Sequence, residues 1–178
     1  MALSWKVAIE RGIETKSGLL RLTIRRLELV DMDAAAAVHR SAFDDRLPWL
    51  SGLHTPDEAR RYFCERVFEE CEIWGALDGS ALTGIIAFRE GWIDQLYILP
   101  SFQRRGIGTT LLGIAQSCSS RLCVWTFQAN DAARVFYLSR GFVLVKETDG
   151  SDNDEKEPDA LYLWSRDCCR RFGFCVIF

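Results

Sequence analysis

Apolar and polar positions change period several times along this chain, and each change marks an element. Residues 20–26 alternate strictly (Leu20-Arg21-Leu22-Thr23-Ile24-Arg25), the pattern of a strand with one buried face. Asp31 or Asp33 then offers an N-cap to the run Ala34-Ala35-Ala36-Ala37-Val38, predicting a helix to about Phe43. Residues 44–54 contain Pro48 and Gly52 and read as a loop. Thr55-Pro56-Asp57-Glu58 combines an N-cap Thr, Pro at the first helical position and Glu in capping-box register, predicting a second helix to about Glu70.

The period then shortens to two. Residues 72–77 and 82–88 form a hairpin across Asp78-Gly79, and Glu90-Gly91 turns the chain into a strand over 92–99. A helix from about Thr109, a strand over 122–127 and a helix from Asn130-Asp131 to Gly141 follow. Residues 142–147 and 160–164 make a last strand pair around an acidic loop, 149–159, too polar for a core. The order β-α-α-β-β-β-α-β-α-β-β predicts one mixed α/β layer, mostly antiparallel, with helices on both faces. The strands flanking the helix at 109–120 are expected to be parallel.

Composition narrows the function classes. The 178 residues carry 22 basic and 25 acidic side chains, a net charge of −3, so the whole-chain basic footprint of a nucleic-acid binder is missing. Apolar runs fall short of the roughly 18 residues of a membrane span. Residues 1–20 lack an apolar core followed by a small-residue cleavage site, so a cytoplasmic protein is expected. The seven cysteines, odd in number and irregular in spacing, then read as free thiols. With only His39 and His54 and no Cys-x-x-Cys, no metal site is expected.

Chemistry concentrates after the strand at 92–99. Leu96-Tyr97-Ile98-Leu99-Pro100 leads into Gln103-Arg104-Arg105-Gly106-Ile107-Gly108-Thr109, a glycine turn that opens a helix. Gly106 and Gly108 allow close backbone approach, and free N–H groups at the helix start suit an anion, above all phosphate. Arg104 and Arg105 add charge, although a glycine turn with solvated arginines has the same sequence. The Lys-Ser/Thr of a nucleoside-triphosphate loop is missing, which argues against a nucleotide-binding role.

Gln-x-x-Gly-x-Gly after an apolar strand resembles the acetyl-coenzyme-A signature of the GNAT acetyltransferase superfamily. Asn130-Asp131-Ala132-Ala133-Arg134-Val135-Phe136-Tyr137 followed by Gly141-Phe142 is similar to the superfamily's second motif. The resemblance covers residues 21–164, leaving an N-terminal extension, 1–20, and a Cys-rich tail, 165–178. It implies a central pair of splayed strands with acetyl-CoA as cosubstrate in the wedge. Backbone N–H groups of Arg104, Arg105, Gly106, Ile107, Gly108 and Thr109, with Gln103, would hold the pyrophosphate. Leu96, Tyr97 and Ile98 would line the pantetheine arm, and the Ile98 N–H would meet the thioester carbonyl. Asn130 would contact the coenzyme, and Tyr137 would protonate the leaving thiolate unless it is only a core aromatic.

Direct acetyl transfer needs a neutral amine, and a carboxylate can take its proton. Asp94 is the first candidate and Glu90 the second. Strand alternation puts Asp94, Leu96 and Ile98 on one face. The acceptor pocket is expected around residues 43–54, with Asp44, Asp45, Trp49 and His54 as possible lining. The acidic loop reads either as a solvated hairpin connection or as a device that steers a cationic amine. The expected activity is acetyl transfer to a small-molecule or protein amine by a monomer or homodimer without nucleic-acid or membrane partners; the alternative is an acyl-CoA sensor without turnover.

Overall fold

The computed structural model describes residues 9–15 and 18–166. An eight-stranded sheet runs through the molecule in the order β1-β2-β3-β4-β5-β6-β8-β7. The strands are β1 (Ile9–Thr15), β2 (Gly18–Arg26), β3 (Glu72–Asp78), β4 (Ala81–Arg89), β5 (Trp92–Ile98), β6 (Arg121–Phe127), β7 (Val143–Thr148) and β8 (Asp159–Ser165). All neighbours are antiparallel except β5 and β6, which are parallel. The predicted order holds from β2 onward. The sheet starts earlier than the alternating run announced, because β1 pairs with β2 over its whole length. Part of the expected N-terminal extension is therefore an edge strand.

The helices are α1 (Met32–Arg46), α2 (Pro56–Tyr62), α3 (Phe68–Glu70), α4 (Ile107–Cys118) and α5 (Asp131–Ser139). A π-helical turn, Phe63–Val67, joins α2 to α3, so the second predicted helix does reach Glu70. Its start is the expected capping box: Thr55 Oγ1 accepts from the Glu58 N–H, and Glu58 accepts from the Thr55 N–H at 2.7 Å. The expected cap of α1 is different. Asp31 sits at the N-cap position without capping the helix; its carboxylate takes both Arg25 guanidinium N–H groups at 2.7 Å. That bidentate pair holds the Asp31 carboxyl below its usual range.

Two cores form because β-strand side chains alternate between faces. On one face Ile85 and Ala87 of β4 pack with Met32, Ala35 and Val38 of α1 and with Phe63. On the other, Ile86 and Phe88 pack with Leu111, Leu112 and Ala115 of α4 and with Tyr137 and Phe142. Among the described residues no helix is long and apolar enough to cross a membrane, and no group of three or more His, Cys, Asp or Glu side chains converges as a metal site. Residues 167–178, which hold all but the start of the expected Cys-rich tail, lie outside the described residues.

Candidate functional site

Strands β5 and β6 touch and then part. Their one ladder pair is Trp92↔Cys123, at the start of β5, where the Cys123 N–H donates to the Gly91 carbonyl at 2.8 Å. Beyond it each strand continues without pairing to the other. On its far side β5 is held by β4: the Leu99 N–H donates to the Thr83 carbonyl at 2.9 Å, in register with Ile85↔Tyr97 and Gly84↔Ile98. In an antiparallel ladder, alternate residues turn their amides away from the partner strand. Leu96 and Ile98 therefore present backbone N–H and C=O groups toward β6, where no ladder meets them. The Ile98 carbonyl is taken by Gln103 Nε2 at 3.1 Å, which leaves the Ile98 N–H facing the wedge.

The wedge opens into a cavity of about 1280 Å³. One end is the predicted glycine turn. Arg104 (φ 59°) and Gly106 (φ 83°) both adopt left-handed backbone, conformations that cost a non-glycine residue of order 1–3 kcal/mol. Alternation of this kind turns successive N–H groups inward as an anion nest. Helix α4 begins at once, with no side-chain cap and no acidic residue in its first turn. The first-turn N–H groups of Ile107, Gly108 and Thr109 have no intrahelical acceptor. Arg104, Gly106, Gly108 and Thr109 line the cavity. Arg105 is exposed and lies over the Phe102 ring, 5.2 Å from its centroid.

Gln103 is a bracket: it also accepts from Arg46 of α1 at 3.4 Å, tying that helix to the turn. Asn130 caps α5, its Oδ1 accepting from the Ala133 N–H at 3.1 Å, and it too lines the cavity. Among the cavity's cations that the sequence does not point to, Arg140 lies nearest the turn in its contacts. Arg140 donates to Thr109 Oγ1 at 2.8 Å, lies over the Phe136 ring and lines the cavity beside the turn. The helix spacing from Phe136 to Arg140 was the only signal, and it does not point to a partner in α4.

Tyr137 lines the cavity yet is 5% exposed, packed against Phe136, Phe142 and Tyr162. Burial raises its hydroxyl above the usual phenol range, and Tyr97 adds to this. The phenol is thus held protonated at neutral pH.

Asp94 departs from its expected orientation. The β4–β5 register slips between Ala87↔Gln95 and Phe88↔Ile93, leaving Asp94 as a bulge residue. The bulge reverses its side relative to Leu96 and Ile98, which pack into the α4 core. Its carboxylate instead pairs with Arg89 at 2.9 Å and accepts from the Cys71 thiol at 3.6 Å, and Cys71 packs on the α1 side. Burial and Asp94 push the Cys71 thiol up to about 12, so it stays protonated. Glu90 is exposed in the β4–β5 turn.

At the other end the expected lining residues are only partly present. Phe43 and Arg46 of α1 and Leu47 just after it border the cavity, whereas Asp44, Asp45, Trp49 and His54 do not. Asp44 turns to Arg40 at 3.3 Å. His39 is wedged between Phe43, Phe63 and Tyr97 with an unpartnered Nδ1, and burial lowers its pKa to about 4. The acidic loop is ordered. Gln128 Nε2 donates to the Thr148 and Asp159 carbonyls at 2.8 and 3.0 Å, closing its base. Asn153 Nδ2 donates to the Glu157 carbonyl at 2.8 Å and to Asp159 at 3.1 Å. Trp49 Nε1 donates to Glu157 at 2.9 Å, strapping the loop to the 48–50 turn. Asp152, Asn153, Glu155 and Asp159 consequently line the cavity.

Comparison with known proteins matches this geometry. Residues 69–144 match the family model described as an acetyltransferase (GNAT) domain. The uncharacterized N-acetyltransferase YafP of Escherichia coli is 32% identical over 76 residues, 43% of this chain and 49% of YafP. The peptidyl-lysine N-acetyltransferase YiaC of Escherichia coli is 30% identical over 73 residues, 40% of this chain and 50% of YiaC. The matches thus span about half the length of these curated relatives. A crystal structure of PaiA N-acetyltransferase from Thermoplasma acidophilum with coenzyme A superposes with a TM-score of 0.62 at 19% identity, covering 81% of this chain and 97% of that one. Residues 69–144 thus resemble a GNAT acetyltransferase domain, and the fold is one that N-acetyltransferase structures share.

Proposed function

We propose that this chain moves an acetyl group from acetyl-CoA to an amine acceptor by direct attack with both substrates bound. The observation that carries the proposal is continuity. An uncapped, glycine-lined helix start opens onto a wedge in which Leu96 and Ile98 turn unpaired backbone toward the ligand. This donor set fits a long ligand with a phosphate at one end and an amide-bearing arm, which is the chemistry of coenzyme A.

In this reading the N–H groups of Ile107, Gly108 and Thr109, with Arg104 and Arg140, hold the pyrophosphate, and Gln103 and Asn130 fix the two helix starts. Arg105 and Gly106 complete the turn. Tyr97 lines the wedge beside the arm. The Ile98 N–H receives the charge developing on the thioester oxygen. The Tyr137 hydroxyl, which burial keeps protonated, gives its proton to the leaving sulfur. Asp94, tied to Arg89 at the fork, remains a proton acceptor only if that ion pair opens. The similarity to YiaC makes a lysine side chain a reasonable acceptor to try first.

The test is thermal stabilisation by acetyl-CoA, followed by free-thiol release with a panel of amines. Stabilisation with thiol release identifies a transferase. Stabilisation without release for any amine identifies a binding module, and no stabilisation rejects the site.

A further inference from the structure

We propose that Glu155, on the loop between β7 and β8, binds the acceptor's ammonium and takes its proton. The proposal rests on the acetyl-transfer reading and assigns the group that reading leaves open.

Three observations carry it. First, Glu155 lines the same cavity as Tyr97, Ile98 and Tyr137, although it lies 58 positions beyond Tyr97 in the chain. The carboxylate is near enough to Tyr97 to act on the phenol through space. Second, the loop is built to hold it there. Gly150 is buried at φ 81°, where a Cβ would overlap the Glu157 backbone. Lys156, next to Glu155, is held at φ 56°. Strained backbone of this kind persists only where surroundings over-determine it. Here the surroundings are the Asn153 bonds, the Gln128 clasp and the Trp49–Glu157 strap. Third, Glu155 is an unpaired carboxylate partly shielded from solvent, whereas Asp152, also unpaired, is exposed and the other neighbouring carboxylates are spent. Asp159 accepts from Thr148 and Asn153, Glu157 from Trp49, and Asp94 from Arg89. Among the described residues Glu155 takes no hydrogen bond or ion pair.

The charged and titratable groups lining the cavity with Glu155 are Asp152 and Asp159 of the loop, Lys146 of β7, Asp94 and Tyr97 of β5, Arg46 of α1, Arg104 of the glycine turn, Asp131 and Tyr137 of α5, and Arg140 just after it. Lys146 lies over the Trp125 ring and Arg46 is bonded to Gln103, so neither neutralises Glu155 in the described structure. The step balances. Glu155 takes one proton from the acceptor's ammonium, the neutral nitrogen forms the N–C bond, and the C–S bond breaks. Tyr137 protonates the sulfur and is restored by the second nitrogen proton through solvent, while Glu155 returns its proton to water.

The test uses the full chain with acetyl-CoA and two probe amines, spermidine and an N-terminally blocked Gly-Lys-Gly peptide. Glu155→Gln is expected to lower kcat/KM at pH 7 by about 10²-fold or more. Acetyl-CoA affinity should stay within about threefold. Raising the pH toward the amine's own pKa should restore much of the rate, because the amine then arrives neutral. Glu155→Asp should fall between the two, and Asp154→Asn, a loop charge away from the cavity, should match wild type. A Glu155→Gln rate within about threefold of wild type, or a loss equal at every pH, overturns the assignment. If the wild type binds acetyl-CoA but acetylates neither probe nor any other amine, the transfer reading falls and Glu155 falls with it. Wild-type turnover with an undiminished Glu155→Gln rate rejects Glu155 alone.

Discussion

Under the proposed function, the two ends of the cavity bind by different means. At the α4 end the recognition surface is backbone. The groups that face the cavity are N–H donors of a helix start, and the side chains mostly shape the turn, brace it like Gln103, or cap the neighbouring helix α5 like Asn130. At the β7–β8 end it is side chain. A loop of hydrogen bonds between distant residues holds carboxylates over the opening, and Trp49 and Glu157 bridge 108 positions of sequence to secure it. A backbone site can accept one invariant ligand through many sequences. A side-chain site can be rebuilt for a new acceptor without touching the first. Variants that damage one end and spare the other measure how far this separation holds.

The largest effect is expected where the ends meet. Tyr137→Phe removes a hydroxyl and keeps the ring that packs on Phe142 and Tyr162. Turnover should fall by about 10²–10⁴-fold, the usual worth of a general acid. Acetyl-CoA affinity, read by thermal shift, should hardly change. Wild-type turnover would reject Tyr137 as the acid and leave it a core residue.

Gly108→Asp tests the backbone end. A Cβ at Gly108 would make only ordinary contacts, 3.6 Å from the Phe136 ring, so Gly108→Ala should fold and serve as the control. The carboxylate puts negative charge at a helix N-terminus in the path of a phosphate. The stabilisation by acetyl-CoA, about 2.7 kcal/mol at a hundredfold excess over Kd, should vanish. An unchanged shift in folded Gly108→Asp would mean that phosphate binds elsewhere.

The difference between the ends also explains what could be read from the sequence. The order of elements from β2 onward and the Gln103–Thr109 turn are local: alternation, caps and glycines each act within a few residues. The fork could be expected only from the family resemblance, since a missing ladder leaves no mark in either strand. Asp94 does not share a face with Leu96 and Ile98, because one bulge residue inverts the strand alternation. Edge strand β1 escaped because its partner, not its own pattern, makes it a strand. The order of the acidic loop leaves no mark in the sequence, because it comes from Gln128 and Trp49, which meet it only in the folded chain.

Gly150→Val tests the side-chain end in turn. Its left-handed backbone and the overlap with Glu157 leave no room for a β-branched side chain. Relief requires the loop to shift, so kcat/KM for the acceptor should fall about tenfold to a hundredfold, following the roughly 1–3 kcal/mol of strain involved. Acetyl-CoA affinity should hold within about threefold. A parallel loss of acetyl-CoA binding would show that the two ends are one cooperative unit, contrary to the separation drawn above.

The smallest effect belongs to the strap. Trp49 is 56% exposed, and its indole N–H is bonded to Glu157 at 2.9 Å. Trp49→Phe keeps an aromatic ring and deletes that one donor. A hydrogen bond to a charged group is worth about 1.5–3 kcal/mol at most, and solvent exposure lowers the figure. The loop keeps its Asn153 and Gln128 bonds, so it should loosen without unfolding. The acceptor's KM should rise about threefold to tenfold, with kcat and acetyl-CoA affinity nearly unchanged. Trp49 does not itself line the cavity, so a KM effect would have to travel through Glu157 to the carboxylates that do. Combining Trp49→Phe with Glu157→Ala decides the matter. If the strap is the route, the double variant should be little worse than either single one, because each removes the same bond. Fully additive losses would mean that Trp49 and Glu157 act on the acceptor separately, and the loop would then be held by its own bonds alone.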